Sequence, residues 1–344
     1  MLPHGVKLEQ NKRAILRRGI LEAPVPEDFP VTPSFAPARQ EPAPKGILAA
    51  AEEAGICDET DGELLRDKLE KLAKRKTKLL AALCFDDDPA AAGEEAFLQE
   101  NAEKIADGLA LAAKACRAGE TVIAAASRKE ARWAAEKCSG VRTVSAGKRY
   151  PAAYFLLRKL RGSGKTAAFL GAQACAALSD AVREGLPQRE TVVTVTGGGA
   201  AKPGNYRVRI GVPLSSVLKA AGAAGPRQFV AVGPAMTGRN VRGSKMPVTA
   251  STRCVTVTEK APKIRVFPCV RCGRCAETCP VGVVPWLIHR EMEGKNPEPL
   301  LLFHVGDCVG CRACDVVCPS GIGLAEEVKR AAALKEGGTP RDAL

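Results

Sequence analysis

Two runs of cysteine near the C-terminal end have the spacing of iron–sulfur ligands. The first is Cys269-x2-Cys272-x2-Cys275-x3-Cys279-Pro280, and the second is Cys308-x2-Cys311-x2-Cys314-x3-Cys318-Pro319. In the bacterial ferredoxin pattern, the first three thiolates of a run hold one [4Fe-4S] cluster and the fourth reaches the other cluster. The spacing therefore predicts one cluster ligated by Cys269, Cys272, Cys275 and Cys318, and a second ligated by Cys308, Cys311, Cys314 and Cys279.

A pair of zinc sites is the alternative interpretation of these cysteines. Structural zinc is held by four ligands that come in pairs, so two complete four-cysteine runs with trailing prolines favour clusters over zinc. Such clusters carry single electrons, and we predict no catalytic acid, base or nucleophile. The three histidines, His4, His289 and His304, do not group in the sequence and predict no further metal site.

The composition is that of a globular protein rather than of a membrane or secreted one. The chain has 344 residues, 46% hydrophobic and 26% charged, which is enough for two or three domains with cores. No apolar run reaches eighteen residues, and the first residues lack the apolar stretch of a signal peptide. We expect a cytoplasmic protein, possibly peripheral on the cytoplasmic face of a membrane through partners. Six further cysteines are then expected as reduced thiols that fill cores, namely Cys57, Cys84, Cys116, Cys138, Cys175 and Cys254.

The net charge of the chain is strongly positive, which indicates the kind of partner that it could bind. The formal charge is +13, and eight thiolates around two [4Fe-4S]2+ cores would add a net −4, leaving about +9. The excess positive charge forms either a solvated face or a docking face. The partner of a docking face would be an acidic ferredoxin, an acidic flavodoxin or an anionic membrane. No recognition motif favours nucleic acid. The basic residues include Arg13, Arg17, Arg18, Lys71, Lys74, Arg75, Lys76, Lys78, Arg158, Lys159 and Arg161.

Changes of pattern along the chain predict a multidomain α/β plus α+β protein. Seven prolines between Pro24 and Pro44 predict an irregular arm over residues 1–45. Alternating helical and strand-like segments predict a Rossmann-like α/β domain with a parallel sheet over 46–189. A cluster domain with short helices follows over 261–335, and a tail over 336–344.

Three segments have more specific predictions. Residues 79–84 read either as a helix or as a buried strand, and residues 168–184 read as one helix. Residues 162–166 imitate the end of a phosphate-binding P-loop, but a polar turn between helices is the better interpretation. Residues 190–260 predict a β-hairpin, a helix and further strands, which suggests a small β-grasp unit.

Several motifs resemble those of the RnfC-like family, the C subunit of Rnf-type electron transport complexes. The likeness extends over nearly the whole chain, from His4-Gly5 through both cysteine–proline motifs. It implies two [4Fe-4S] clusters and an SLBB (soluble-ligand-binding β-grasp) module, and it suggests redox proteins (ferredoxin, flavodoxin or other complex subunits) as partners. The motifs that carry the likeness lie at residues 149–151, 191–197, 203–206, 209–218, 233–236, 279–285 and 318–322.

The resemblance also implies electron entry from NADH through FMN, and here the chain departs from the family. Where the family has a glycine-rich nucleotide loop, this chain has Cys-Asp-Glu-Thr-Asp-Gly-Glu at residues 57–63. An acidic turn at 86–89 matches its counterpart only in charge. We therefore expect no stoichiometric FMN, and we interpret 57–63 as a solvated turn in which Thr60 or Asp61 caps the helix that begins near Leu64.

Two other functions remain open from the sequence. One is an NADH-oxidising FMN flavoprotein dehydrogenase subunit with an unusual loop, which bound flavin would reveal. The other is an SLBB ligand-binding or adaptor subunit whose clusters are mainly structural. A reversible one-electron reduction of the clusters would argue against the adaptor.

Overall fold

A computed structural model describes most of the chain as ten strands and twelve helices. It describes residues 8–26, 29–30, 32–37, 42–138, 140–162, 164, 166–223, 225, 229–233, 236–241, 245–259, 265–294 and 304–335. The strands are β1 (Ile20–Glu22), β2 (Leu79–Cys84), β3 (Glu120–Ala125), β4 (Arg142–Ser145), β5 (Ala167–Gly171), β6 (Glu190–Thr196), β7 (Gly204–Arg209), β8 (Phe229–Val232), β9 (Arg239–Asn240) and β10 (Cys254–Thr258). The helices are α1 (Leu8–Leu16), α2 (Pro44–Glu53), α3 (Leu65–Lys74), α4 (Gly93–Cys116), α5 (Arg128–Lys137), α6 (Ala152–Arg161), α7 (Ala172–Glu184), α8 (Leu214–Ala220), α9 (Arg274–Glu277), α10 (Pro285–Glu293), α11 (Ala313–Val317) and α12 (Leu324–Lys335).

The first sheet is parallel, in the order β4-β3-β2-β5. Every residue of the central strand β2 is buried, which is typical of a strand covered by helices on both faces. On one face α4 and α7 pack with α2 and α3, and on the other face α6 covers the strands. Residues 79–84 are thus a buried strand, and the predicted α/β layer is confirmed.

The helix predicted over 168–184 is wrong in its first residues. Ala167–Gly171 forms β5, which pairs with β2 at Leu79↔Ala167, and α7 begins only at Ala172. Gly171 stands between the strand and the helix, but the short apolar run Ala-Ala-Phe-Leu before it cannot be assigned to a strand or a helix by its periodicity alone. The P-loop-like segment therefore connects a helix to a strand, and its Ser163 and Lys165 lie outside the described residues.

The second sheet is mixed, in the order β1-β7-β6-β10-β8-β9. Strands β6 and β7 form an antiparallel hairpin, and α8 follows before the chain returns as β8 and β10. Strand β10 lies parallel to β6 and antiparallel to β8. Valines of β6 and β10 pack against α8 in one core with Tyr206 and Leu214.

The irregular arm predicted over residues 1–45 is wrong for its first half. Residues 8–16 form α1, and Ile20–Glu22 pairs in parallel with β7 as an edge strand. The prolines that suggested irregular chain begin only at Pro24. Pro44 stands in the first turn of α2, where its missing N–H costs nothing.

The chain divides into two compact units. One comprises Lys7–Pro234 with Arg239–Lys260 and contains both sheets. The other comprises Ala261–Leu344 with Met1–Val6 and Ala235–Gly238, and it contains the cysteine runs. In this second unit α10 and α12 pack around a small core centred on Val283, Ile288 and Val305. Within the described residues, no helix is both long and apolar enough to cross a bilayer.

Candidate metal centre

The two cysteine runs follow the same backbone course. In the first run, Arg271 (φ 54°) and Gly273 (φ 78°) adopt left-handed conformations on either side of the second cysteine. In the second run, the same two positions hold Gly310 (φ 66°) and Arg312 (φ 59°), which are also left-handed. Each run then enters a short helix that carries its third cysteine, α9 or α11. The two runs therefore share the same local backbone geometry around their second and third cysteines.

One cavity is lined by cysteines from both runs. Cys269, Cys272 and Cys275 line it from the first run, and Cys318 lines it from the second run. Two hydrogen bonds hold the runs together here, because Phe267 N donates to Ser320 O (2.9 Å) and Ser320 Oγ donates to Pro268 O (2.9 Å). The remaining wall includes Trp286, Pro319, Ile322 and Leu324.

The other four cysteines also approach one another. Burial raises the pKa of the Cys311 thiol, and the nearby Cys308 and Cys279 raise it further. Burial likewise raises the pKa of the Cys314 thiol, with added repulsion from Asp315, Cys311 and Cys308. Two adjacent thiolates repel in a partly buried site, and a bound cation reverses that effect.

Asp315 holds the second run in place, although the cysteine pattern does not include it as a metal ligand. Its Oδ1 accepts from Ala325 N (2.8 Å) at the start of α12, and its Oδ2 accepts from Arg312 Nε (2.9 Å). Asp315 is 3% exposed. Arg312, in a left-handed conformation, is thus tied to its own run, and sequence reasoning did not identify this pair.

The donor set fits clusters better than single ions. Each set offers four thiols, and Cys272 and Cys308 reach the surface while the others are half-buried or buried. Among the described residues, no three His, Cys, Asp or Glu side chains converge closely enough to hold a single metal ion. Ligands of a cubane stand farther apart than the tetrahedral ligands of zinc, since each thiolate binds a different iron.

The six scattered cysteines lie outside the cluster motif, and the structure joins none of them in a disulfide. Cys57 is half-buried and the other five are buried, namely Cys84, Cys116, Cys138, Cys175 and Cys254. Burial raises the pKa of each of these thiols, which keeps them protonated.

The acidic segment 57–63 is not the solvated turn that the sequence predicted. Asp58 is 0% exposed and Glu59 is 2% exposed. Asp58 pairs with Lys68 Nζ (2.8 Å) and accepts from Gly171 N (3.1 Å) at the carboxyl end of β5. The residue that caps α3 is Leu64, without a side-chain hydrogen bond, so neither Thr60 nor Asp61 caps the helix.

Glu59 occupies the start of α7. Its carboxylate accepts hydrogen bonds from Gln173 N (2.7 Å) and Ala174 N (2.9 Å). A Cβ on Gly171 would lie 2.1 Å from the Glu59 carboxyl carbon, so only glycine leaves room for it. Free N–H groups at a helix N-terminus are donors that bind phosphate in nucleotide sites. Here a side chain of the same protein has taken them.

The acidic turn at 86–89 joins the same buried network. Asp86 pairs with Arg253 Nη2 (2.8 Å) and accepts from Glu94 N (2.9 Å). Asp88 accepts from Ala90 N (2.8 Å). Arg253 lies just before β10, far from the turn in sequence, and no local pattern singled it out.

Several carboxyl groups in this network are hard to ionise. Burial raises the pKa of Glu59 to about 7, with a further contribution from Asp58. Burial and Glu59 raise the pKa of Glu94 well above its ordinary value, although Arg253 opposes the shift. Gln173 links the pair, because its side-chain amide donates to Glu94 Oε1 (2.7 Å) while its backbone N–H binds Glu59. The carboxyl edge of the parallel sheet, where α/β proteins bind ligands, is therefore filled by internal polar contacts.

Comparisons with known proteins agree with the cysteine geometry. Residues 268–322 match the family model of the 4Fe-4S dicluster domain. That match confirms the dicluster domain and supports two [4Fe-4S] clusters.

Curated relatives match a larger part of the chain. The C subunit of the ion-translocating oxidoreductase complex of Rhodobacter capsulatus is 28% identical over 226 residues, which cover 60% of this chain and 43% of that protein. The protein of the same name from Buchnera aphidicola is 31% identical over 150 residues, which cover 42% of this chain and 31% of that protein. The chain thus spans less than half the length of these relatives.

A solved structure shares the overall fold. One chain of an NAD+-reducing [NiFe]-hydrogenase in the H2-reduced state aligns with 88% of this chain and 63% of its own length, at a TM-score of 0.54 and 16% identity. The air-oxidised form gives a TM-score of 0.52. The resemblance to the RnfC-like family is confirmed, since this chain carries a 4Fe-4S dicluster domain and is a homologue of the C subunit of ion-translocating oxidoreductase complexes.

Proposed function

We propose that this chain passes electrons between redox partners through two [4Fe-4S] clusters, as a subunit of, or an accessory to, an Rnf-type or related reductase complex. The observation that carries the proposal is the shared cavity of Cys269, Cys272, Cys275 and Cys318 within the dicluster domain. Bound there, clusters supply reversible one-electron chemistry.

The ligand sets are crossed between the two runs. Cys318 joins the first run at one cluster, and Cys279 joins Cys308, Cys311 and Cys314 at the other. The lining of the first cavity supports this assignment, as does the effect of Cys279 on the pKa of Cys311. Each run then binds both clusters, so the spacing between the clusters is set by two short stretches of chain.

The protein residues around the clusters exclude water and limit movement. Trp286, Ile322 and Leu324 provide an apolar wall. The Phe267–Ser320 hydrogen bond fixes the entry to the first run. A rigid and partly desolvated setting lowers the reorganisation that accompanies each electron transfer, and it influences the reduction potential.

We propose that electrons do not enter through NADH and FMN in the way the family resemblance implies. The support is Glu59, which takes two N–H groups at the start of α7 and presents a carboxyl group where a phosphate would need donors. The rival function, an NADH-oxidising flavoprotein, would require this segment to leave a buried network that includes Asp58 and Lys68.

We propose that the second sheet with α8 is the SLBB β-grasp module. Its support is the strand order β7-β6-β10-β8, in which the first hairpin and the returning strands flank a central parallel pair. An adaptor role for this module is the second rival.

The proposed partners are acidic redox proteins, such as a ferredoxin or a flavodoxin, or other subunits of a complex. Attachment to a membrane would come through such partners, at the cytoplasmic face. The basic character of the chain supports an acidic partner, because opposite charges speed and orient association.

The test is anaerobic purification or reconstitution with iron, sulfide and flavin measured on one sample. We expect about eight iron and eight sulfide per chain, no stoichiometric FMN, and clusters that dithionite or reduced ferredoxin reduces while NADH does not. About four iron, or zinc in whole-number ratio, would contradict the two clusters. Tight FMN with rapid bleaching by NADH would favour the flavoprotein, and clusters that accept no electron reversibly would favour the adaptor.

A further inference from the structure

Arg271 adopts a left-handed backbone conformation, and the equivalent position in the second run is a glycine. Arg271 and Gly310 both precede the second cysteine of their runs, and both have positive φ (54° and 66°). A left-handed conformation is unfavourable for arginine and costs glycine nothing. Gly310 shows that a glycine can form this turn, so the backbone conformation does not explain why residue 271 is an arginine.

The side chain of Arg271 has no structural partner among the described residues. The other left-handed arginine, Arg312, is bonded to the buried Asp315 and so stabilises its own run. Arg271 is exposed, and the described part of the chain offers it no ion pair. Arg271 is nevertheless one of the residues that line the cavity of Cys269, Cys272, Cys275 and Cys318. A strained residue without an internal role beside a functional site indicates a role toward a partner.

An apolar patch adjoins Arg271. Val266, Phe267 and Val270 are 67%, 55% and 66% exposed, the highest values among the large exposed hydrophobic side chains of the described residues. They lie on either side of Cys269, and the hydrogen bond from Phe267 N to Ser320 O holds them against the second run. Exposed apolar side chains grouped at one place mark an interaction site.

The charges around the patch are mainly positive. The exposed charged residues between positions 265 and 277 are three arginines and one acidic residue, namely Arg265, Arg271, Arg274 and Glu277. We define residues 265–274 as the cluster-1 face. An apolar centre with an arginine rim fits a partner whose apolar patch carries carboxylates around it.

We propose that the cluster-1 face docks an acidic electron-carrier protein and that Arg271 is its charge contact, so electrons cross at the cluster held by Cys269, Cys272, Cys275 and Cys318. This inference rests on the proposed function and specifies where the partner binds. When bound there, the cluster would accept one electron from the reduced carrier, which would be oxidised by one electron, and no bond would be made or broken.

The experiment compares Arg271→Gly with Lys329→Ala. Lys329 is exposed on α12, so its replacement removes one positive charge that is not part of the cluster-1 face. The probe is a chemically reduced acidic bacterial [4Fe-4S] ferredoxin, mixed with the oxidised holoprotein in a stopped-flow instrument at low and at 0.5 M salt. Cluster content and reduction by dithionite are measured on each variant, so a failure of the clusters is distinguished from a failure of docking.

The expected result is a two- to five-fold lower second-order rate constant for Arg271→Gly at low salt, the range of an exposed ion pair of about 0.4–1 kcal/mol. The difference should vanish at 0.5 M salt because exposed charges are then screened. Phe267→Ser should lower the rate constant at both salt concentrations, and Lys329→Ala should leave it unchanged. An Arg271→Gly variant with intact clusters and an unchanged rate, or with a loss that salt does not affect, would overturn the proposal.

Discussion

Replacing Glu59 with glutamine tests whether its buried carboxyl group governs the stability of the larger unit. Burial raises the pKa of Glu59 from its ordinary 4.5 to about 7, with Asp58 adding to the rise. One pKa unit corresponds to about 1.4 kcal/mol, so ionising Glu59 costs the folded protein about 3 kcal/mol relative to the unfolded chain.

The sign follows from the direction of the shift. The folded-state pKa lies above the unfolded value, so the folded state binds the proton more tightly. The stabilisation of the folded state by protonated Glu59 is fully present below about pH 4.5, and it is lost as the pH rises through about 7. Glutamine cannot ionise, and its amide oxygen still accepts one of the N–H groups at the start of α7. Wild-type unfolding free energy should fall by about 2 to 3 kcal/mol between pH 5 and 8 because of Glu59, and Glu59→Gln should abolish that part of the decrease.

The assay is urea unfolding between pH 5 and 8, followed by the fluorescence of Trp133 on α5. Both proteins carry Trp286→Phe, which removes the second of the two tryptophans. Glu53→Gln, at an exposed position of α2, is the matched control and should keep the wild-type pH dependence. Burial also raises the pKa of Glu94 and Glu95, so the variant keeps part of the slope. Equal pH slopes for wild type and Glu59→Gln would refute the argument.

Three further predictions concern the ligands, the scattered thiols and the helix packing. Cys318→Ser should alter the electron paramagnetic resonance spectrum of the cluster built on Cys269, Cys272 and Cys275; damage confined to the other cluster would show that the ligation is not crossed. Single alanine replacements of four buried thiols should leave the iron content and the cluster spectrum unchanged, and any loss of iron would reveal a misassigned ligand; the four are Cys116, Cys138, Cys175 and Cys254. Gly108→Ala should destabilise the protein by about 3 kcal/mol or prevent folding, because its Cβ would lie 1.7 Å from Cys175 O where α4 crosses α7. A thermal denaturation midpoint equal to that of the wild type would show that the two helices separate readily.

The α/β layer was predictable because its signals are local. Strand β2 is a six-residue apolar run ended by an acidic turn, and α5 begins with a capping box formed by Ser127 and Glu130. Strand β5 was missed because its short apolar run, which ends at Gly171, cannot be told from a helix by periodicity alone. Strand β1 was missed because three residues gain strand structure only by pairing with β7. A strand of three residues is too short to show the alternation of apolar and polar residues from which strands are predicted.

The sequence by itself determined the cluster chemistry of this protein, because a thiolate pattern of x2-x2-x3 spacing needs only a few residues of backbone to close around a cubane. It also predicted that residues 57–63 lack the glycine-rich nucleotide loop of the family. Only the tertiary structure showed where the acidic residues of this segment lie. Asp58 and Glu59 looked solvated because acidic residues usually are, yet Lys68, Gly171 and the start of α7 provide the partners that permit their burial. Those partners lie up to 115 residues away in the chain, and only folding brings them to the carboxyl edge of the sheet.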